Sequence, residues 1–258
     1  MDTAAGTGVI LVVTGTDTGV GKTVVTAALA VALAAAGRRV AVLKPVQAGT
    51  EDDLGDDLGD GLGDGLGDGL GDADVVRRLA GVRAAEGIRL PDPMAPVAAA
   101  ARAGVRLPGL AEHCAHVERL AADHDDVLVE GTGGLLVELD GSGGTVADLA
   151  GLTGASTVVV CRSGLGTLNH TALTLEALER RGVAVPGLVV GAWPRSPSEV
   201  ERDNRARLAR LAPLLGAVPA GAGQLPVAEF RRAAPGWFTG LPQAASTSAR
   251  SSFGGRGP

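Results

Sequence analysis

Runs of consecutive apolar residues alternate along the chain with longer segments whose apolar residues recur at helical spacing. Continuous apolar runs are typical of strands that are buried on both faces of a parallel sheet. Strands are predicted at residues 9–13, 40–43, 127–129, 156–161, 188–192 and 215–219. Helices are predicted at residues 22–36, 74–81 and 110–122, from residue 170 to residue 182, and from a capping box at residues 196–199 to about residue 211. The alternation predicts one α/β domain with a doubly wound, mostly parallel sheet.

The predicted domain covers residues 1–242 and contains a low-complexity insertion at residues 51–73. Within it, residues 53–72 repeat a tetrapeptide, Asp-Leu-Gly-Asp twice and then Gly-Leu-Gly-Asp three times. Glycine and aspartate at this density bury too little apolar surface to offset the entropy lost on ordering, which predicts a disordered loop. The Ser/Gly/Arg-rich residues 243–258 are predicted to be a disordered tail.

The acidic character of the chain is confined to the same insertion. The net charge of −6 becomes +4 once the ten acidic residues of segment 51–74 are left out. No strongly basic patch is visible and aromatic residues make up only 2% of the chain, so nucleic acid is not an expected partner. No apolar run is long enough to span a membrane, residues 1–3 lack a basic secretory segment, and two cysteines make no disulfide framework. These features favour a cytoplasmic protein.

A glycine-rich turn connects the first predicted strand to the first predicted helix. Residues 14–23, Thr-Gly-Thr-Asp-Thr-Gly-Val-Gly-Lys-Thr, match the phosphate-loop pattern G-x-x-x-x-G-K-[ST] imperfectly, because Thr16 stands where the first glycine belongs. Backbone N–H groups of such a loop surround a polyphosphate, and the helix dipole adds a positive end. Lys22 is expected to reach the β- and γ-phosphates, and the Thr23 hydroxyl to hold Mg²⁺. The alternative, an ordinary glycine turn, is disfavoured by the strand before the loop and the helix after it.

The scarcity of lysine makes each lysine of the chain a candidate for chemistry. Of 23 basic residues 21 are arginine, and only Lys22 and Lys44 are lysine. The planar guanidinium of arginine does not replace a compact ammonium at a tight phosphate site. Lys44 precedes Pro45 at the carboxyl end of the second predicted strand, where open parallel sheets bind ligands. The alternative for Lys44 is a solvated lysine at a strand end.

Two further segments at strand ends are candidates for anion or metal binding. Glu130 ends the strand at residues 127–129 and is followed by Gly-Thr-Gly-Gly, which is where a phosphate-loop protein has the acid that engages Mg²⁺. The glycine-rich residues 164–170 offer N–H groups at a helix start and form a second candidate anion site.

The remaining histidines and cysteines of interest do not predict a metal site. His113, Cys114 and His116 lie on one predicted helix at i, i+1 and i+3, without a second pair at zinc-ligand spacing. We therefore expect them on an exposed helix face. Cys161 is expected to pack inside its strand as a small hydrophobic residue.

Four motifs together resemble those of a known family. They are residues 14–23, residues 44–46 (Lys-Pro-Val), residues 129–134 (Val-Glu-Gly-Thr-Gly-Gly) and residues 164–170 (Gly-Leu-Gly-Thr-Leu-Asn-His). From about residue 9 to 240 the chain resembles dethiobiotin synthetase, an enzyme of biotin synthesis whose domains, of the P-loop NTPase type, form a homodimer. The resemblance implies the substrates 7,8-diaminopelargonate, CO₂ and ATP, with Mg²⁺. It also implies a carbamate intermediate, a carbamic–phosphoric anhydride and a ring closure that yields dethiobiotin, ADP and phosphate.

The resemblance also implies roles for individual residues. The catalytic residues would be Lys22, at the β- and γ-phosphates, and Lys44, at the carbamate and γ-phosphate. The metal ligands would be Thr23, Asp74 and Glu130. Nucleotide contacts would come from Thr18, Gly19, Val20, Gly21, Lys22, Thr23, Val24, Gly191, Pro219, Ala220 and Gly221. Substrate contacts would come from Lys44, Ala48, Thr132 and Gly133, and from Gly166, Leu168 and Asn169 of the partner subunit.

The chain departs from the family pattern at three of these positions. Gly19 stands where the family often has a glutamate, and a backbone contact there would be kept. Ala48 replaces a frequent hydroxyl residue, which removes one possible hydrogen bond to substrate. Gly191 replaces an asparagine that contacts adenine, so no side chain at that position selects the base. Asp72 and the repeat before it leave the position of Asp74 in the motif ambiguous by a few residues.

Three other functions share parts of this pattern. A partition or septum-site switch ATPase has a similar phosphate loop, but with a signature lysine five residues before the loop lysine, where this chain has Asp17. Corrinoid amidotransferases share a synthetase-like domain and add a glutaminase domain, for which the chain is too short. A non-enzymatic nucleotide-binding scaffold would leave the two lysines and Glu130 unexplained.

Overall fold

Strands and helices alternate through the computed structural model, which describes residues 9–49 and 70–240. Its strands are β1 (Val9–Gly15), β2 (Val40–Ala48), β3 (Arg83–Leu90), β4 (Asp126–Gly134), β5 (Ser156–Cys161), β6 (Gly187–Trp193) and β7 (Leu214–Pro219). Its α-helices are α1 (Lys22–Ala35), α2 (Asp72–Ala80), α3 (Pro96–Ala103), α4 (Leu110–Ala121), α5 (Val146–Thr153), α6 (Thr167–Glu179), α7 (Glu199–Leu211) and α8 (Val227–Ala233).

The strands pair in the order β3-β2-β4-β1-β5-β6-β7, and each of these pairings is parallel. β1 lies at the centre, with Val13 opposite Glu130 of β4 on one side and opposite Val158 of β5 on the other. Because the strands are parallel, their carboxyl ends meet at one edge of the sheet, where ligands bind in folds of this type. The predicted doubly wound α/β architecture is confirmed.

Helices cover both faces of the sheet. On one face, α1 packs with α2 and with Phe230 of α8, and residues 22–33 of α1 are all buried. On the other face, leucines of α5, α6 and α7 pack against β5 and β6. A fully buried leucine contributes about 1.5–3 kcal/mol relative to an exposed one, so burial of these side chains stabilises the packing of both helical layers on the sheet. Within the described ranges no helix has the length and apolar composition needed to cross a membrane.

Several elements were missed by the sequence pattern. β3 is an edge strand with alternating burial, and its polar side chains, Arg83, Glu86 and Arg89, break the apolar run that predicts a buried strand. α3, α5 and α8 are short, at seven or eight residues each. α2 begins at Asp72, two residues before the predicted start.

Two local predictions are wrong. The capping box of α7 is formed by Ser198 and Glu201 rather than by residues 196–199, since the Ser198 hydroxyl accepts from the Glu201 N–H and the Glu201 carboxylate accepts from Ser198. The trio on α4 does not lie on an exposed face: His113 is 1% exposed and shares the buried side of α4 with Val117 and Leu120, while Cys114 and His116 are half-buried. Cys161 is fully buried, as predicted. Most of the tetrapeptide repeat and the predicted tail fall outside the described residues.

Candidate active site

The phosphate loop, residues 15–22, leaves the carboxyl end of β1 and turns directly into α1. Gly21 precedes the helix in the left-handed conformation (φ 88°), which strains any residue with a side chain. A Cβ atom on Gly21 would also lie 2.8 Å from the Gly191 carbonyl oxygen of β6. Among the described residues no side chain caps the first turn of α1, so its N–H groups are available to an anion.

Lys22 folds back over the phosphate loop. Its Nζ donates to the Asp17 carbonyl oxygen at 2.9 Å. Burial is the main cause that lowers the pKa of Lys22 to about 8, and the charge of Lys44 lowers it further, whereas Glu130 and Asp72 act in the opposite direction. A bound phosphate would stabilise the charged ammonium of Lys22, because it supplies the opposite charge that the buried group lacks.

Lys44 lies at the centre of a buried ionic cluster at the end of β2. Its Nζ forms ion pairs with Asp72 and with Glu130, the latter at 3.2 Å, and donates to the Gly131 carbonyl oxygen at 3.0 Å. Thr23 Oγ1 lies 3.0 Å from Asp72 Oδ1 and 2.8 Å from Glu130 Oε1, so its proton can be donated to either carboxylate. The cluster therefore joins the phosphate loop to β2, β4 and α2.

The burial of this cluster perturbs each ionisable group in it. Burial alone would lower the pKa of Lys44, but the Asp72 and Glu130 carboxylates raise it above its usual value. Burial would raise the pKa of Asp72, yet Lys44 holds it below the usual range. Burial raises the pKa of Glu130 to about 7, with Asp72 adding to the effect and Lys44 opposing it. Lys44 and Asp72 thus form a charged pair, while Glu130 is the group whose ionised form is least stabilised by its surroundings.

The oxygen atoms of the cluster suit a hard divalent cation. Glu130 Oε2 is buried and has no hydrogen-bond partner among the described residues. Two carboxylates and a hydroxyl are the donors that Mg²⁺ prefers, and Mg²⁺ commonly takes only one or two carboxylates beside phosphates and water. The residues present therefore fit this ion.

Asp74 does not belong to the cluster, contrary to the ligand set that the resemblance implies. Its carboxylate pairs with Arg77 and Arg89 and accepts from the Gly71 N–H at 3.2 Å. Residues two apart on a helix point to different sides, so Asp72 and Asp74 cannot both face the loop. Asp72 occupies the place beside Thr23 that was expected for Asp74.

Two other predicted residues, Gly191 and Gly133, lie beside the phosphate loop, and a third, Thr132, contacts β2. Gly191 packs against the phosphate loop so closely that a Cβ atom would collide with the Val20 carbonyl oxygen. Gly133 has a positive φ (64°), and a Cβ there would lie 3.4 Å from Thr18 Oγ1. Thr132, on β4, donates its hydroxyl to the Val46 carbonyl oxygen of β2.

The remaining predicted nucleotide and substrate residues are spread along the same edge. Thr18 and Gly19 are exposed at the tip of the loop, Val24 is buried in α1, and Ala48 is half-buried at the end of β2. Pro219 ends β7 and residues 220–221 follow it, where the Ala220 N–H donates to the Trp193 carbonyl oxygen at 2.8 Å.

The segment after β5 stands apart from the cluster. Gly166 precedes α6 in the left-handed conformation (φ 85°), Leu168 is half-buried and Asn169 is exposed. In the part of the chain that the structure describes, no hydrogen bond or ion pair joins these three residues to the ionic cluster.

Two functional candidates were missed by the sequence analysis. Arg162, directly after β5, lies with Nη2 3.1 Å from the Thr18 carbonyl oxygen and 3.3 Å from Asp17 Oδ2, so it braces the phosphate loop. Gln47, near the end of β2, contacts the backbone of Asp72. The sequence signal for Arg162 is its position directly after the predicted strand at residues 156–161, whereas Gln47 lies beyond the predicted end of its strand and carried no such signal.

Comparisons with known proteins identify relatives that match most of the chain. A family model described as "AAA domain" matches residues 10–223. A curated protein of Mycobacterium sp. (strain KMS), named ATP-dependent dethiobiotin synthetase BioD, is 51% identical over 245 residues, which cover 90% of this chain and 99% of that protein. A protein of the same name from Streptomyces coelicolor is 51% identical over 233 residues, with 89% and 91% covered.

A solved structure shows the same fold at low sequence identity. The septum site-determining protein MinD of Pyrococcus horikoshii, complexed with Mg-ADP, superposes with a TM-score of 0.53 at 20% identity, over 89% of this chain and 90% of that chain. This likeness concerns the fold alone, whereas the curated relatives match about half of the residues over nearly the whole chain. The chain belongs to the ATP-dependent dethiobiotin synthetase family.

Proposed function

We propose that the protein converts 7,8-diaminopelargonate, CO₂ and ATP into dethiobiotin, ADP and phosphate. The main support is the position of Lys44, whose buried ammonium contacts the same two carboxylates as Thr23, the residue directly after the phosphate loop. A cation fixed there would be adjacent both to a bound phosphate chain and to an acid formed on a neighbouring substrate. Family membership and this geometry together favour a synthetase over a simple nucleotide hydrolase.

The proposed reaction has three steps. One substrate amine adds to CO₂ and loses a proton, which gives a carbamate. A carbamate oxygen attacks the γ-phosphorus, ADP leaves, and a carbamic–phosphoric anhydride forms. The second amine then attacks the carbamoyl carbon, phosphate leaves with the C–O electron pair, and loss of a proton completes the ureido ring. Each step needs anions held together and neutralised rather than a covalent bond to the protein.

The two lysines are proposed to supply that neutralisation. Lys22, held by the Asp17 carbonyl oxygen, would contact the β- and γ-phosphates. Lys44 would contact the carbamate and the γ-phosphate from the opposite side. Burial strengthens both interactions, because charges attract more strongly away from water.

Thr23, Asp72 and Glu130 are proposed to hold Mg²⁺, with Asp72 in the place first expected for Asp74. The unpartnered Glu130 Oε2 and the shared Thr23 hydroxyl support this set. When bound, Mg²⁺ would neutralise charge that develops on the β- and γ-phosphate oxygens.

The nucleotide is proposed to lie along the phosphate loop and past β6 towards the segment after β7. Its phosphates would contact residues 18–24, and its base would face Gly191 and residues 219–221. Gly191 can offer only backbone groups to the base. Its packing against Val20 also leaves no room for a side chain at this position.

The substrate site is proposed to be shared between two subunits. Ala48, Thr132 and Gly133 would line it on one side, and Gly166, Leu168 and Asn169 of the partner subunit on the other. Exposed leucines beside that second group support a homodimer, since Leu165 is 85% and Leu173 57% exposed. Contiguous exposed apolar patches are typical of an interaction surface, whereas single exposed apolar side chains are common on any protein.

The alternative is a switch ATPase of the partition or septum-site type. It is favoured by the fold likeness to MinD. It is disfavoured by Asp17, which occupies the position of the signature lysine of that class.

The decisive experiment is product analysis. The protein would be incubated with 7,8-diaminopelargonate, ¹³C-bicarbonate, Mg²⁺ and ATP, and the mixture analysed by mass spectrometry. We expect dethiobiotin that contains one ¹³C atom, none without ATP, and almost none with Lys44→Ala. A wild-type protein that binds Mg-ATP but forms no dethiobiotin would contradict the proposal.

A further inference from the structure

Gln47 is a buried polar residue near the carboxyl end of β2, three positions after Lys44, and it is 6% exposed. Both ends of its side-chain amide are in use. The Oε1 atom accepts from the Asp72 N–H at 2.9 Å, and the Nε2 atom donates to the Gly49 carbonyl oxygen at 2.9 Å. A buried amide with both ends satisfied holds its partners in a fixed relative position.

The two partners of Gln47 lie on either side of residues 50–69. Gly49 follows β2, and Asp72 is the first residue of α2. The first N–H groups of a helix have no partner within the helix, and Gly71, which precedes α2, has no side chain that could accept from them. Gln47 supplies the missing acceptor from a different element of the sheet.

We infer that Gln47 is a positioning residue that holds the first turn of α2 so that the Asp72 carboxylate meets Lys44 and Thr23. Aspartate has a short side chain, so the place of its carboxylate follows the place of its own backbone. Gln47 fixes that backbone through the Asp72 N–H, while Lys44 and Thr23 contact the carboxylate. The inference rests on the proposed function only for the role of Asp72 as a metal ligand.

The test is a fluorescence titration of N-methylanthraniloyl-ADP, measured without metal and then with increasing Mg²⁺. Gln47→Met keeps the length of the side chain and removes both hydrogen bonds. We expect the metal-free affinity to stay within about twofold of wild type and the Mg²⁺ concentration for half-maximal enhancement to rise by about tenfold, the effect of about 1.4 kcal/mol.

Asn204→Leu is the matched control. Asn204 is a buried amide that donates to the carbonyl oxygens of Ser163 and Gly164, both at 2.9 Å. Its loss should lower the unfolding temperature, as for Gln47→Met, without changing the Mg²⁺ requirement. If Gln47→Met does not fold, Gln47→Glu replaces it: this variant keeps an acceptor for the Asp72 N–H, and its Mg²⁺ requirement should not rise.

A double variant separates positioning from general stability. If Gln47 acts through Asp72, then Gln47→Met should add no further Mg²⁺ requirement to Asp72→Asn. An equal tenfold rise in the Asp72→Asn background, a rise with Asn204→Leu or Gln47→Glu, or a wild-type protein without any Mg²⁺ enhancement would each overturn the inference. Because no readout involves dethiobiotin, failure of the proposed reaction would be recognised separately by the product analysis.

Discussion

The Gly191 Cα of β6 lies directly against the Val20 carbonyl oxygen of the phosphate loop, where a Cβ atom would collide with that oxygen. The glycine is therefore required by the packing of the loop against the sheet. Gly21 of the phosphate loop approaches β6 just as closely, since a Cβ on Gly21 would lie 2.8 Å from the Gly191 carbonyl oxygen. Two glycines thus allow the loop and the strand to approach each other closely.

Gly191→Ala is predicted to displace the phosphate loop. Overpacking of a rigid contact typically costs about 1–3 kcal/mol, and here the loop that binds phosphate has to move. We expect nucleotide affinity to fall at least tenfold in calorimetric titrations with ADP, together with a lower free energy of unfolding. Gly141→Ala is the control, because a Cβ at that position meets no atom of residues 9–49 or 70–240 within 4 Å. Wild-type affinity in Gly191→Ala would show that the loop adjusts without cost.

The parts of the site that follow continuous apolar strands could be predicted from the sequence. The phosphate loop, Lys44 and Glu130 each come directly after such a strand, and parallel strands bring their carboxyl ends together. Asp72 could not be assigned, since its place depends on where α2 begins and on a contact with Gln47, 25 residues earlier. A tertiary hydrogen bond of this kind leaves no periodic pattern in the sequence.

The same limit explains the errors in the fold. β3 pairs with β2 alone and is polar on its exposed side, so its sequence lacks the continuous apolar run of the inner strands. His113 is buried by packing between elements that are distant in sequence, whereas its neighbours on α4 are polar enough to predict an exposed face.

We predict that arginine cannot take over the function of either lysine. Lys44 is enclosed by Asp72, Glu130 and the Gly131 carbonyl oxygen, and the wider guanidinium cannot make the same three contacts. Lys22→Arg and Lys44→Arg should each lower kcat at least ~10²-fold, about 2.7 kcal/mol, the scale for one preorganised electrostatic contact. The measurement is dethiobiotin formation, with Arg207→Lys on the exposed face of α7 as control. Near-normal turnover in Lys44→Arg would contradict the role assigned to Lys44.

Substitutions of Asp72 and Asp74 are predicted to have very different effects on the Mg²⁺ requirement, although the two residues are only two positions apart. Asp72→Asn should raise the Mg²⁺ concentration needed for half-maximal activity by tenfold or more, because its carboxylate lies beside Thr23. Asp74→Asn should leave this value within about twofold, since Asp74 pairs with Arg77 and Arg89 at the partly exposed side of α2 and such pairs contribute about 0–1 kcal/mol. Mg²⁺ titrations of both variants decide the question, and the reverse ranking would restore Asp74 as the ligand.

His113 is predicted to make the protein less stable in mild acid. Burial lowers the pKa of His113, with His116 adding to the effect and with Asp140 and Glu112 opposing it. The unfolded chain therefore binds more protons than the folded chain below about pH 6.5, and the free energy of unfolding falls as the pH decreases from there towards the folded-state pKa. The slope from one proton cannot exceed about 1.4 kcal/mol per pH unit.

His113→Phe tests this prediction. The variant removes the titrating group together with its Nε2 atom, for which the described part of the chain offers no hydrogen-bond partner, so its advantage over wild type should grow as the pH falls from 7 to 5. Urea unfolding at several pH values measures the difference. Two curves that stay parallel over this range would show that His113 does not contribute to the acid sensitivity.

Deletion of residues 53–68 is predicted to leave the site intact. Gln47 ties Gly49 to Asp72, so the two ends of the intervening chain are held together by hydrogen bonds that lie outside the deleted residues. The deletion shortens the connection between them from 22 residues to 6. Since the entropy of loop closure varies as (3/2)RT ln n, the shorter connection should raise the free energy of unfolding by only about 1 kcal/mol.

Asp72 is retained, and we expect wild-type turnover and an unchanged Mg²⁺ requirement in dethiobiotin formation. A scrambled segment of the same length and composition is the control for the repeat pattern. A large loss of turnover or a raised Mg²⁺ requirement, in the deletion but not in the scrambled chain, would instead assign metal ligands to the acidic segment and displace Asp72 from the role proposed for it.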